Sequence, residues 1–187
     1  MGNLTDFFAA SAGGQTLEVI SGICDGSSYT VDSGTYTLAD VTANQALTTS
    51  YAAASGSSIA YTPPEGATHV EYEYGFQLSW TNAHCISHWT LYLDSDEVTQ
   101  ARRSLSGQYV EDFITLKWVF KIADTADAAN GVVTSWTSNK TIEWRAREYG
   151  TGNGLDKLHY TVYWNGTSSG GAQHSKPTLK ITAYKYS

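Results

Sequence analysis

Between His69 and Trp80 the chain alternates without a slip. Val70, Tyr72, Tyr74, Phe76, Leu78 and Trp80 take every second position, and His69, Glu71, Glu73, Gly75, Gln77 and Ser79 fill the positions between. Side chains two apart point to the same side of an extended strand, whereas a helix of 3.6 residues per turn would scatter these apolar groups around its circumference. The segment predicts a long strand with one face in a core. Such a strand needs a second layer to cover that face.

The period recurs. Trp89, Leu91 and Leu93 alternate with His88, Thr90 and Tyr92. Ile114, Leu116, Trp118, Phe120 and Ile122 alternate with Phe113, Thr115, Lys117, Val119 and Lys121. Further sets are Ile142, Trp144 and Ala146; Leu158, Tyr160, Val162 and Trp164; and Leu179, Ile181 and Ala183. Turn-forming residues separate them, Pro63-Pro64-Glu65-Gly66 and the glycine-rich 150–154 among them. Residues 97–105 read as a short helix or a loop, and no amphipathic helix of useful length occurs elsewhere. Earlier segments at 17–20, 29–31, 35–38, 47–51 and 58–61 predict short, moderately polar strands of the kind found at sheet edges or in an embracing arm. Eight or more one-faced strands imply two sheets packed about 10 Å apart, and long strands with long connections favour a jelly roll over a meander. The expected fold is all-β, a two-sheet β-sandwich of jelly-roll type with a short N-terminal arm.

A chain of 187 residues is the size of one domain. Residues 1–15 read as the arm, in which Leu4, Phe7 and Phe8 form an apolar cluster, with room for a helical turn after Asn3 or Thr5. Small residues at 9–14 act as a hinge, and 16–187 form the sandwich. Charged residues are only 16% of the chain, and the net charge is −7 with 11 basic against 18 acidic side chains. Scattered, outnumbered basic residues do not provide the phosphate-neutralising patch that nucleic acid or an anionic membrane requires. No apolar run approaches the roughly 20 residues that cross a bilayer, and residues 1–10 lack the pattern of a secretion signal. Cys24 and Cys85 make no disulfide framework; one bridge between them is the alternative, and two buried free thiols are the expectation.

Some groupings could carry chemistry. Glu71 and Glu73 lie on one side of their strand, roughly 7 Å apart, a separation reminiscent of a glycosidase pair. A solvated outer face explains them more simply. His84-Cys85-Ile-Ser-His88 holds three ligands in five residues, but His69, His159 and His174 stand apart and complete no zinc set. Asp94-Ser-Asp96-Glu97 could ligate calcium, yet it lacks the glycine and distant glutamate of a helical calcium loop; a turn with an acidic helix start is the simpler account. No nucleophile elbow, phosphate loop or dinucleotide fingerprint is present. No catalytic residue, cofactor site or metal site is assigned, and the expected work is binding, not catalysis.

Tyr92, Phe113, Val119, Tyr163, Tyr184 and Tyr186 fall on alternates that should face water in an isolated domain. Gathered on neighbouring strands they would form an interface patch. Self-association is one reading, and cover by the N-terminal segment is the other.

Several runs look familiar together: Leu47-Thr-Thr-Ser-Tyr51 leading to Tyr61-Thr-Pro-Pro-Glu-Gly66; Trp89 through Leu-Tyr-Leu-Asp-Ser-Asp-Glu-Val98; Ser135-Trp-Thr-Ser-Asn-Lys-Thr-Ile142 continuing to Arg145-Ala-Arg-Glu-Tyr149; and Pro177-Thr-Leu-Lys-Ile-Thr182. Over residues 46–183 they resemble virion structural proteins of marine tailed phages, particularly those of cyanobacteria. The resemblance implies a particle component located in the virion and assembled in the host cytoplasm. It implies a jelly-roll homotrimer of the kind used as capsid decoration (cement) proteins and fibre heads. Its partners would then be itself and the major capsid protein or another virion protein, with Leu4, Phe7 and Phe8 helping to anchor it to the capsid. The alternative is a head or tail fibre component recognising a host surface glycan, with Trp136, Tyr149 and Trp164 as stacking candidates. A glycoside hydrolase using Glu71 and Glu73 is the remote alternative.

Overall fold

A computed structural model describes residues 14–80, 85–150, 156–161 and 173–186. The strands, in chain order, are β1 (Gln15–Ile23), β2 (Ser28–Val31), β3 (Gly34–Thr37), β4 (Gln45–Ala46), β5 (Ala52–Ala53), β6 (Ile59–Tyr61), β7 (His69–Trp80), β8 (Cys85–Leu93), β9 (Asp96–Gly107), β10 (Val110–Ile122), β11 (Val132–Val133), β12 (Lys140–Glu148), β13 (Asp156–Leu158), β14 (Tyr160–Thr161), β15 (Gln173–His174) and β16 (Thr178–Lys185). One 3-10 turn, Ala128–Asn130, precedes β11.

The larger sheet runs β1-β16-β7-β10-β11, with β13 and β4 continuing beside the far half of β7. In the smaller sheet the order is β12-β8-β9, and the short β5 and β6 share the outer edge of β12. Count β5 and β6 as one, and leave aside the β2–β3 hairpin, the three-residue β13 and the other two-residue strands. The first, eighth, third and sixth long strands (β1, β16, β7, β10) then make one sheet; the second, seventh, fourth and fifth make the other. That interleaving is the jelly roll: β7 and β8 lie in different sheets, and so do β9 and β10.

β7 spans the alternating segment, and all six of its apolar side chains are buried. Phe76 stacks between Tyr74, with ring centroids 4.9 Å apart, and Trp89 of the opposite sheet, 4.7 Å away. Leu116, Phe120, Ile142, Trp144, Ala146, Leu158, Leu179, Ile181 and Ala183 close the core. A crossing segment at 55–57 ties the sheets: Tyr74 donates to the Ser55 carbonyl at 2.6 Å and Tyr72 to that of Ser57. The Ser57 hydroxyl donates to the Trp144 carbonyl at 3.0 Å and accepts from its amide at 3.2 Å. The β2–β3 hairpin is held by buried Glu18, which accepts the Ser33 hydroxyl and the Tyr61 hydroxyl, each at 2.6 Å.

Some local expectations change. Residues 97–105 lie within β9, a full strand. Opposite β8, residues Thr99 to Arg102 stand against the single residue Thr90, because Val98 pairs with Leu91 and Arg103 with Trp89. This bulge breaks the two-residue period and hides the strand from a pattern search. No helix starts after Asp96; Asp94 and Asp96 instead bound a hairpin turn in which Asp94 is left-handed, at φ 57°. Residues 47–51 are not a strand, since β4 ends before them and β5 begins after. The strand expected at 158–164 is interrupted at His159, also left-handed at φ 60°, and Val162 and Trp164 lie outside the described residues. Between Pro64 and Ala67 a 3.2 Å hydrogen bond closes the expected turn, with Gly66 at φ 81° in the position where a type II turn requires glycine.

Candidate functional site

The outer face of the larger sheet is built from four strands in register. Thr16, Tyr184, His69 and Lys121 form one row across β1, β16, β7 and β10. The next rows are Val19, Thr182, Glu71, Val119; then Ser21, Lys180, Glu73, Lys117; then Ile23, Thr178, Gly75, Thr115. Phe113 follows opposite Gln77. Its ring lies over Gly75, so close that a Cβ there would stand 2.8 Å from a ring carbon. Glycine at this position lets an aromatic ring lie flat on the sheet.

Large apolar side chains flank this face on both sides. Val19 is 45% and Ile23 50% exposed on β1, while Val119 is 42% and Phe113 57% exposed on β10. At one end His69, Tyr184 and Tyr186 pack together, with Tyr186 4.6 Å from His69 and 5.8 Å from Tyr184. Between the flanks lies a charge network: Lys117 reaches Glu71 at 2.6 Å and Glu73 at 3.6 Å, and Lys180 reaches Glu73 at 3.0 Å and Glu71 at 3.8 Å. Burial works against the charge on Glu73, but the Lys180 hydrogen bond and nearby Lys117 outweigh it and hold the carboxyl below its usual range. A glycosidase acid needs the opposite shift. The pair is better understood as a neutralised strip inside an apolar frame.

Of the six residues predicted to face outward, Phe113, Val119, Tyr184 and Tyr186 share this face. Tyr92 is on the outer face of the smaller sheet, because β8 crosses to that layer, and there it packs under Arg145. Tyr163, Leu4, Phe7 and Phe8 lie outside the described residues. Val19 and Ile23 were not singled out from the sequence. Their signal is a short period-two run, Val19, Ser21, Ile23, which a β-bulge between Thr16 and Glu18 sets out of phase with the start of the strand.

Other candidates resolve differently. Trp136 is buried, donates to the Tyr61 carbonyl at 2.8 Å and packs edge-on against Tyr61 and Phe120, so it belongs to the core and presents no ring to a sugar. Tyr149 is exposed, and Trp164 lies outside the described residues. Asp94 accepts from the Thr141 amide at 2.8 Å and Lys140 at 3.1 Å, and Glu97 binds Arg102, so these carboxylates are engaged by cations and amides. Cys24 and Cys85 are both buried, and they are not joined in a disulfide. His84 lies outside the described residues, and among those described no cluster of three or more His, Cys, Asp or Glu could hold a metal.

One buried acid escaped sequence reasoning altogether. Asp156, 1% exposed, pairs with Trp80 at the end of β7, and its amide donates to Glu148 Oε1 at 3.0 Å. Neither of its carboxylate oxygens has a well-formed hydrogen bond. Burial pushes its pKa up to about 6; Cys85 and Ser87 offset part of this, and the Glu148 charge adds to it. Burial likewise raises Glu148. Nearby in sequence, buried His159 lies 3.0 Å from the Ser55 carbonyl through Nε2, and burial pushes its pKa down to about 4.

No model of a known protein family matches the chain, and no curated protein matches it. Solved structures with some likeness include that of infectious bursal disease virus strain Gx, at 9% identity and a TM-score of 0.35, covering 91% of this chain and 38% of that one. This chain thus spans well under half the length of that viral chain. Two structures of the family 11 carbohydrate-binding module from Clostridium thermocellum are also similar, each at 12% identity. The module in complex with a β-1,3-1,4-mixed-linked tetrasaccharide gives a TM-score of 0.30 over 90% of this chain and 86% of that one. The module of cellulase Lic26A-Cel5E gives 0.26 over 90% and 85%. Likenesses this distant carry no functional argument.

Proposed function

We propose that the protein is a non-enzymatic virion structural component of a tailed phage, a homotrimer that decorates the capsid. The outer face of the larger sheet is its self-association surface. The observation that carries the self-association is the grouping of exposed Val19, Ile23, Phe113 and Val119 around a neutralised charge strip on one flat face. Grouped apolar side chains of this size are costly to leave in water and are typical of surfaces that meet a partner. A cyclic threefold contact would bury them and leave the lysine–glutamate strip paired within each copy. The virion setting and the number three come from the sequence resemblance across residues 46–183. In that setting the protein binds the major capsid protein or another virion protein and stabilises the assembled particle by mass action, with Leu4, Phe7 and Phe8 of the arm (residues 1–15) contributing to attachment.

Sedimentation velocity at micromolar concentration tests the core of this reading. The unaltered chain is expected to sediment as a trimer, and the double substitution Phe113→Asp, Val119→Asp as a folded monomer with unchanged circular dichroism. A stable monomer for the unaltered chain would count decisively against it. Quantitative mass spectrometry of particles tests the location. A copy number comparable to that of the major shell protein supports decoration, and only a few copies per particle would point to a vertex or tail role instead.

A further inference from the structure

The chain contains four arginines, Arg102, Arg103, Arg145 and Arg147, and all of them fall on β9 and β12 of the smaller sheet. Of its seven lysines only Lys140, the first residue of β12, lies on these two strands, and it is paired with Asp94 at 3.1 Å. Arg103 sits at the sandwich edge, 6.0 Å from the Trp118 ring. The other three share the outer face of the smaller sheet with three tyrosines.

The register builds this face row by row. Glu143, Tyr92 and Glu97 are aligned across β12, β8 and β9. The next row sets Arg145 beside Thr90, and the next sets Arg147 beside His88 and Ser104. The Arg145 guanidinium stands 4.1 Å from the Tyr92 ring centroid, and that of Arg147 stands 5.4 Å from Tyr51. His88 packs 5.7 Å from Tyr149. Arg102 holds Glu97 through two bonds of 2.8 and 2.9 Å, and Arg145 holds Glu143 at 2.7 Å. Tyr51 is 45% and Tyr149 61% exposed.

A guanidinium carries five N–H donors in a planar fork. Glu97 claims two of those on Arg102, and Glu143 claims one on Arg145, so three and four remain unclaimed by the described carboxylates. Among the described residues, the hydrogen bonds of Arg147 are long, 3.5 Å each, to the Thr49 and Glu148 carbonyls. Stacking on tyrosine limits the freedom of these side chains, so little entropy remains to be lost when an anion is bound. The face therefore combines pre-set planar donors for carboxylate or sulfate with exposed aromatic rings at its border, on a molecule that is otherwise strongly acidic.

We propose that this face binds an acidic polysaccharide, one whose sugars carry carboxylate or sulfate groups. Arg145, Arg147 and Arg102 take the anionic groups, and Tyr149 and Tyr51 stack against sugar rings. The chemistry discriminates among polymers. Three arginines are offset by two glutamates on the same face, giving +3 − 2 = +1. So small an excess favours a ligand held by separate forked contacts and by its hydroxyls over one held along a continuous basic track, as a nucleic acid strand is. The two carboxylates interleaved with the arginines can accept hydrogen bonds from sugar hydroxyls, which a DNA phosphodiester backbone does not carry. A protein hot spot sits in a fully desolvated pocket, whereas the ion pairs at the centre of this face are open, with the Arg102 and Arg145 side chains 61% and 39% exposed. The site lies on the opposite side of the sandwich from the proposed self-association surface, so the two readings stand or fall separately.

Affinity electrophoresis of the full-length chain in native gels tests the proposal, with alginate as the polyuronate, dextran sulfate as the sulfated polymer and unmodified dextran as the neutral control. Retardation is expected in one or both acidic gels, weakened by salt, with none in dextran. Arg145→Gln with Arg147→Gln is expected to weaken it about tenfold, as befits lost charge-assisted contacts. Tyr149→Ala, a change at an exposed ring that leaves the core intact, should weaken it as well and serves if the arginine pair fails to fold. The Phe113→Asp, Val119→Asp protein should still be retarded. Mobility unchanged in both acidic gels, equal retardation in dextran, retention indifferent to Tyr149→Ala, or full displacement by oligothymidine would each overturn the assignment. So would conversion of the oligomer to monomer by the arginine substitutions, which would make the face a protein interface.

Discussion

Asp156→Asn is expected to stabilise the protein by roughly 3 kcal/mol at about pH 8 and to change little at about pH 4. The buried carboxyl has its pKa pushed from 3.8 up to about 6. Its proton is therefore held more tightly in the folded chain than in the unfolded one. Below the unfolded value both states are protonated and nothing is lost. As pH rises toward 6 the unfolded chain ionises first, folding is penalised, and above that value the full penalty of an ionised carboxylate without well-formed hydrogen bonds is present. Asparagine has the shape of the protonated acid and cannot ionise, so it removes that decline. Glu148, raised by burial and close to Asp156, should gain as well once its neighbour is neutral. Urea unfolding of both proteins across this range is the measurement, with the difference between the two curves isolating Asp156. Parallel curves would mean that the carboxyl is solvated in the folded state after all.

Phe76→Ala should be among the costliest single changes, at about 3–5 kcal/mol. The ring is fully buried and packed face to face with Tyr74 and Trp89, so its loss leaves a cavity spanning the gap between the two sheets. A domain of ordinary stability has only about 5–15 kcal/mol in hand, so the variant sits close to the unfolding threshold. Phe113→Ala is the internal comparison. It removes the same side chain from the neighbouring strand, where the ring is 57% exposed, and in the monomeric state should cost about 1 kcal/mol or less. Chemical denaturation that ranked the two equally would contradict the assignment of inner and outer faces.

Those inner and outer faces were legible in the sequence wherever one side of a strand is buried without interruption. The bounds of β7 and the inward sets of β10, β12 and β16 follow directly from a period of two, because a one-residue slip would turn every aromatic ring into water. Where the backbone departs from that period the pattern fails. The bulge opposite Thr90 erased β9, and left-handed His159 split the strand expected around it. Alternation also distinguishes in from out but not one sheet from the other, which is why Tyr92 was grouped with Phe113 although the sandwich lies between them. Arg102 and Arg147 are 45 positions apart in the chain; only the β12-β8-β9 order brings them to one surface. Trp136 and Tyr149 both border turns, and nothing in composition separates the core ring from the exposed one. Asp156 follows a glycine-rich stretch and reads as a turn residue until β13 carries it under the end of β7.

The position of β16 has a consequence for how the molecule comes into being. This strand lies between β1 and β7, so it is the central seam of the larger sheet although it is the last strand of the domain to be synthesised. Until Thr178–Lys185 has left the ribosome, β1 has no ladder partner and the first half of β7 is paired on one side only. The hairpin of β8 and β9, with near neighbours in sequence, can form early, but the two halves of the larger sheet must wait, with apolar strands and bare hydrogen-bonding edges open to other chains. The domain is thus most exposed to misassociation just before β16 emerges. A fold whose seam is closed by its last strand is finished in a single step, which joins β1 to β7.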